Sequence, residues 1–230
     1  MPRELIARNL FGAQHVGGAR RPLGELLAED GAHKVRHTGA RLTQAHADVL
    51  MGVLHLAGGA REGEELVLLV SDLEHELERK SGAYKRGGLR RLFAELAGTV
   101  ITVEGPKPDG GMRSINCSLL PKYEWVTVGR REVLVLAFVP AALDLLDLGL
   151  VEVSKEQRRE LAAKPLAQWL QLYMAVYPRG LFVRDAVEAV APGQPVRLVR
   201  RRLREAVLEL ERAGVGGFVV DERDRVRRRA

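Results

Sequence analysis

From Pro195 to Ala213 the chain reads PVRLVRRRLREAVLELERA, in which arginine recurs at positions that a helix brings to one side. At about 100° per residue, Val199, Leu203, Ala206, Val207 and Leu210 cluster within about 100° of one another, a stripe wide enough to pack on a core. Arg197, Arg201 and Arg204 then point the opposite way, with Arg200 on the flank. The chemistry this face offers is anion recognition, since each guanidinium is a planar fork of donors matched to phosphate oxygens and guanine edges. Arg197 lies nearest the N-terminus, the end of a recognition helix that enters the major groove. Downstream, Arg223, Arg225, Arg227, Arg228 and Arg229 belong to a hairpin expected around Glu222 to Asp224, where they reach backbone or the adjacent minor groove. The competing interpretation is a solvated helix face salt-bridged to Glu205, Glu209 and Glu211. Those acids concentrate toward the C-terminal half and leave 197–204 unneutralised. A second basic set, Lys85, Arg86, Arg90 and Arg91, lies opposite Leu89, Leu92, Phe93 and Leu96, and there DNA contact and a solvated face are evenly matched.

Other chemistry lacks its residues. No GxxxxGK[ST] phosphate loop occurs, so nothing supports ATP hydrolysis, and Gly105, Gly110 and Gly111 belong to a turn beside Pro106 and Pro108. The six histidines contain no His-hydrophobic-His triplet that would serve a DNA-cleaving tyrosine. His33 and His37 fall in a stretch that reads as a strand, which argues against a shared metal. Tyr84, Tyr123, Tyr173 and Tyr177 read as core or surface residues, and Trp169 and Tyr173, one helical turn apart, as core. Asp144, Asp147 and the acids from Glu62 to Glu65 show no acid/base partner. Neither an enzymatic activity, a metal nor a cofactor is expected.

The elements that must carry these residues follow from period and punctuation. Residues 1–30 mix short apolar patches with Gly12, Gly17, Gly18 and Pro22 and read as a flexible N-terminal arm. His33 to Leu42 reads as extended, and Thr43 caps a helix ended by Gly58-Gly59. Residues 65–70 form a short buried run, Ser71 caps a second helix, and Ser81 starts a third that Gly98 ends. Four β segments follow, at 100–104, 114–120, 125–128 and 132–138, then a short helix from Pro140 to Leu148. Three helices followed by a small antiparallel sheet is a winged-helix order.

The order repeats after Gly149. Val151 to Val153 is expected as a strand, and Ser154 as the cap of a long helix to Tyr177 that Pro165 kinks or splits. After the turn at 178–180 comes a short helix containing Phe182, Val183, Ala186, Val187 and Val190, then the arginine helix, then the hairpin. The fold class is therefore α+β, two tandem winged-helix domains with small antiparallel wings. Residues 31–150 form the first domain, with protein contacts and possible dimerisation, and 151–230 the second, the principal DNA-binding unit.

Charge supports that division. The 230 residues carry 36 Lys and Arg against 30 Asp and Glu, and the formal excess of +6 falls entirely in 151–230, where 17 basic side chains face 11 acidic ones. A polyanionic partner for that third is the physical implication. No apolar run is long enough to span a membrane and no signal-peptide core is present, so a cytoplasmic location is expected. The single cysteine, Cys117, has no partner for an internal disulfide and fits a reducing compartment.

Three segments are recognisable together: VRHTGARLTQAHADVLMGVLHLA at 35–57, KSGAYKRGGLRRLFAELAGTVITV at 80–103, and KPLAQWLQLYMAVYP at 164–178. In order and spacing they resemble the TrfA-type plasmid replication initiators, over most of 33–213. The third carries the family's Pro-Leu-x-x-Trp-Leu helix as Pro165, Leu166, Trp169 and Leu170. The resemblance implies two winged-helix domains that bind double-stranded direct repeats (iterons) in a plasmid origin. It also implies recruitment of the host initiator and replicative helicase, and a homodimer in equilibrium with a DNA-binding monomer. A winged-helix transcriptional repressor on a palindromic operator, or a non-enzymatic adaptor with a weakly adhesive basic tail, are the alternatives that the same residues allow.

Overall fold

The computed structural model of the chain describes residues 10–13, 21–30, 33–58, 64–77, 86–106, 110–120, 122–138, 142, 151–190 and 194–228. The expected helix start at Ser81, the helix from Pro140 to Leu148 apart from the buried Ala142, and the boundary at Gly149 lie outside them, as do Tyr84, Lys85 and Arg229.

The first unit is built on two antiparallel sheets. Strands β1 (Phe11–Gly12), β2 (Arg21–Asp30), β3 (His33–Gly39) and β4 (Leu42–Thr43) precede helix α1 (Gln44–Ala57). Then come β5 (Glu65–Leu69), α2 (Val70–Glu76), α3 (Arg86–Ala97), β6 (Val100–Pro106), β7 (Met112–Ser118), β8 (Lys122–Val128) and β9 (Arg131–Ala137). One sheet runs β2-β3-β6-β7 and the other β5-β9-β8. In the first, Val35 pairs with Val103 and Val103 with Ile115, while His37 pairs with Ile101 and Ile101 with Cys117. All six are buried, because residues two apart share a face. Cys117 is thus a packing residue. In the second sheet Trp125, Leu134 and Leu68 lie in register, as do Tyr123, Leu136 and Leu66. Phe93 of α3 sits on that face, edge-on to Trp125 at 5.5 Å and tilted against Tyr123 at 5.9 Å.

Of the expected N-terminal arm, residues 10–13 and 21–30 are described, and these take regular or packed positions. Residues 21–30 form β2 and pair along β3, and Phe11–Gly12 pairs in parallel with Leu42–Thr43. Leu10 and Phe11 are buried in the first core. Glycines and a proline suggested interruption, yet an antiparallel neighbour satisfies the backbone whatever the local propensity. Helix starts also differ in detail. Thr43 is the N-cap of α1, its N–H donating to His46 Nδ1 at 3.0 Å. Ser71 is not a cap, since α2 already begins at Val70.

The second unit contains α4 (Lys155–Glu160), α5 (Pro165–Val176), β10 (Leu181–Phe182), α6 (Val183–Val190), α7 (Val196–Arg212), β11 (Phe218–Val220) and β12 (Arg225–Arg228). Ser154 caps α4 by accepting from the Gln157 N–H at 3.2 Å, and the long helix is split ahead of Pro165 as its missing donor requires. Val151 to Val153 is not a strand, and Phe182 belongs to β10 rather than to the following helix. The wing sheet, of order β10-β12-β11, recruits Leu181 and Phe182 as its third strand, whereas Val151 and Val153 pack against the first core without joining a sheet.

The core falls into two clusters that share one helix. Leu172 and Val176 of α5 belong to the first, and Trp169, Leu170 and Met174 of the same helix to the second. Apolar residues on two sides of α5 let it serve both units. Among the described residues no helix is long and apolar enough to cross a membrane.

Candidate nucleic-acid interface

Helix α7 is positioned by its apolar stripe. Val199, Leu203, Ala206, Val207 and Leu210 are buried in the second core against α5, α6, Phe218 and Val226. Pro195 precedes the first turn at φ −59°, and Ala213 and Gly214 close the helix, Gly214 in the left-handed region at φ 73°. Burial of one side fixes the other. Arg197, Arg201, Arg202 and Arg204 are exposed, with Leu208 continuing the same outward face. Arg201 lies 3.8 Å from Glu205 with both side chains well exposed, a pair worth about 0–1 kcal/mol and no barrier to an anion.

Arg200 has a partner within the chain that its helical spacing did not suggest. It is ion-paired to Asp224 in the wing turn, so the arginines of 197–204 are not all unneutralised. The acid comes from another element, 24 residues away, which is why local charge pattern missed it. Asp224 holds φ 56° in a turn closed by its N–H on the Asp221 carbonyl at 3.1 Å. Arg200 therefore braces helix against wing.

The wing is organised by Asp221. Its carboxylate accepts from the Arg225 and Arg223 N–H groups, both at 3.0 Å, and from Arg227 Nε at 2.9 Å. The Arg225 N–H is the main reason its carboxyl stays below the usual carboxylate range, with Arg227 and the Arg223 N–H adding to it. Arg223 is exposed at the tip. Arg225 turns back to the Arg179 carbonyl and lies over the Phe182 ring, and Arg228 lies 5.8 Å from the Phe218 centroid. Of the wing arginines, Arg223 and Arg228 point their charge outward, while Arg227 is committed to Asp221.

In the first unit Arg90 donates to Glu132 at 2.7 Å and lies 4.9 Å over Trp125, joining α3 to the β8-β9 hairpin. Arg91 is 3.9 Å from Glu95. Arg86 begins α3, and Lys85 is outside the described residues. These contacts give Arg90 a structural task that its spacing did not suggest.

Two groups went unread in the sequence. Phe182, with Arg184 and Arg225 against it, stands beside the wing turn, since the Val183 N–H donates to the Asp224 carbonyl at 2.7 Å. Only the sheet brings residue 182 to residue 225. The other group is a buried network around Arg158, which donates to Asp48 Oδ1 and Gln44 Oε1 at 2.7 Å and to the Gln168 carbonyl at 2.6 Å. Gln44 in turn donates to the Phe11 carbonyl at 2.7 Å, so β1, α1, α4 and α5 are tied together.

Among the described residues no group of three or more His, Cys, Asp or Glu side chains is placed to hold a metal ion. Trp169 and Tyr173 of α5 and Tyr177 at its C-cap form a row of tilted rings with centroids 5.1 and 4.8 Å apart. Burial, then the neighbouring Tyr177, pushes the Tyr173 phenol up to about 12, so it is protonated at neutral pH.

No protein-family model matches the chain, and no curated protein matches it in sequence. In three dimensions it is similar to domains 2 and 3 of RctB. The crystal structure of the selenomethionine derivatives superposes with a TM-score of 0.64 at 11% identity, covering 90% of this chain and 85% of that one. A second crystal structure of the same two domains gives 0.53 at 10% identity, covering 88% and 82%. At these identities the likeness is one of fold, an α+β arrangement of winged-helix-like units with small antiparallel sheets.

Proposed function

We propose that this protein initiates DNA replication by binding double-stranded origin repeats in a sequence-specific way. The observation that carries the proposal is the agreement in fold, over 90% of the chain, with two domains of RctB, a replication initiator. The arginine face of α7 supports it, because that face stands on the same unit as a wing and opposite a fully packed stripe. In this reading α7 enters the major groove, Arg197, Arg201 and Arg204 meet guanine edges and phosphates, and the wing rests on the flanking backbone. The repeats are direct repeats of a plasmid origin, as the TrfA-type resemblance implies.

Labour is divided between residues 31–150 and 151–230. The first unit, whose charge is balanced, holds a second copy of the chain or a host initiator or helicase, and the second supplies most of the DNA affinity. No covalent chemistry is assigned to the chain. Its work is recognition and recruitment, and monomer–dimer exchange sets how many copies engage the repeats.

The test is binding of the full chain to its own origin repeats and to random duplex across a salt series. Preference for the repeats by about a thousandfold or more, with both affinities falling steeply with salt, is the expected result. Equal affinity for both at every salt concentration overturns the proposal in favour of an adaptor. Tight binding by a stable dimer to a palindrome, with no gain from direct repeats, overturns it in favour of a repressor.

A further inference from the structure

The residues around Phe182 form a cluster that the groove-facing arginines do not include. Phe182 is 38% exposed between Leu181 and Val183, both of which are buried. The guanidinium carbons of Arg184 and Arg225 lie 5.3 and 5.2 Å from its ring centroid, within the range of cation–π attraction. Arg225 also donates to the backbone carbonyl of Arg179, which fixes its guanidinium beside the ring. Close backbone approach holds the site together. Gly180 sits at φ 105°, where an added Cβ would lie 2.2 Å from the Val226 carbonyl oxygen. Ring and wing are tied again by the Val183 N–H on the Asp224 carbonyl.

Asp221 accepts from the Arg225 backbone N–H. Among the described residues the acid ion-paired to this cluster's guanidinium groups is adjacent and exposed: Asp185 lies 3.3 Å from Arg184, with the Arg184 side chain 79% exposed. Such a pair is weak and easily exchanged for a phosphate. Long arginine side chains ordinarily lose rotamer freedom when they bind an anion, and a ring that already holds them reduces that loss.

We infer that Phe182 is a positioning residue that pre-arranges Arg184 and Arg225 as a clamp for the DNA phosphate backbone at the flank of the α7 face. The inference rests on the proposed duplex-binding role. The clamp contributes affinity without sequence preference, since phosphates carry no base information. It also predicts that an aromatic ring, and not apolar bulk alone, is needed at position 182.

The experiment compares wild type, Phe182→Tyr, Phe182→Leu, Arg184→Ala, and Phe182→Leu combined with Arg184→Ala, on origin repeats and on random duplex across a salt series. Phe182→Leu and Arg184→Ala should each weaken both duplexes by the same factor, about three- to tenfold, while Phe182→Tyr binds as wild type. Arg184→Ala should also flatten the salt slope by about 0.9. In the Arg184→Ala background Phe182→Leu should have a smaller effect than alone, which a general loosening of the wing would not produce. If wild type prefers its repeats but Phe182→Leu and Arg184→Ala bind both duplexes as wild type does, the clamp is overturned and the duplex-binding role stands. Equal weakening by Tyr and Leu, or full additivity with Arg184→Ala, also overturns it. If wild type binds no duplex, both fall together.

Discussion

Arg158 Nε donates to Asp48 Oδ1 at 2.7 Å across 110 residues of sequence, and the two side chains are 8% and 7% exposed. The pair joins the start of the second unit to the first helix of the first unit. Its remaining donors reach Gln44 and the Gln168 carbonyl, so this buried cation is enclosed by polar atoms rather than by its counter-ion alone. Desolvation makes a buried ion pair a poor source of net stability, but removing one partner is costly because the other charge stays in the interior.

Arg158→Met should accordingly destabilise the protein by about 3–5 kcal/mol, and Asp48→Leu by a similar amount. The double substitution should recover part of the loss, as two apolar side chains replace two charges. Denaturant titration of the four proteins gives the coupling directly. Simple additivity would mean that Arg158 acts through Gln44 and Gln168 instead.

Arg200 and Arg201 are neighbours with different assignments. Arg201→Ala should cost about 1–3 kcal/mol of discrimination between cognate and mismatched repeats if it meets a guanine. Arg200→Ala should leave that ratio unchanged while lowering affinity for all duplexes, because its guanidinium holds Asp224 in the wing turn. Competition binding against single-base variants of one repeat separates the two.

Gly180→Ala tests whether the wing sheet needs its close approach. With φ 105° and a carbonyl oxygen 2.2 Å from the new Cβ, the substitution should destabilise by about 2–4 kcal/mol. The expected signature is a lower denaturation midpoint together with weaker DNA binding, since the displaced strand carries Arg225.

His46 predicts an acid sensitivity. Its Nδ1 accepts from the Thr43 N–H and its Nε2–H donates to Glu95 at 2.7 Å, which sets the tautomer. Burial lowers its pKa from 6.5, outweighing the opposite pull of Glu95, and Arg91 adds to the lowering. The unfolded chain therefore binds this proton at higher pH than the folded one. The stability it contributes is fully present above about pH 6.5 and declines as pH falls from there through the folded-state value. Stability curves at pH 7.5 and 5.5 should show this loss in wild type and a smaller one in His46→Gln.

What the sequence determined by itself was periodic and local. The stripe at Val199, Leu203, Ala206, Val207 and Leu210 dictates which arginines of α7 face outward, because 3.6 residues per turn leaves no other arrangement once that stripe is buried. Thr43, Gly58, Ser154 and Pro165 marked helix ends through capping and the missing proline donor. Ser71 did not, and 151–153 formed no strand, because sheet pairing decides where short elements begin.

The tertiary structure decided everything that depends on meeting across the chain. Residues 21–30 became a strand because β3 offered an antiparallel partner, and Arg200 became a brace because a turn 24 residues later delivered Asp224. Phe182 met Arg225 through the wing sheet, and Arg158 met Asp48 because α5 packs into both cores. Charge type and helical phase can be read along the chain, whereas the partner that neutralises a charge is chosen by packing, and packing has no period in sequence.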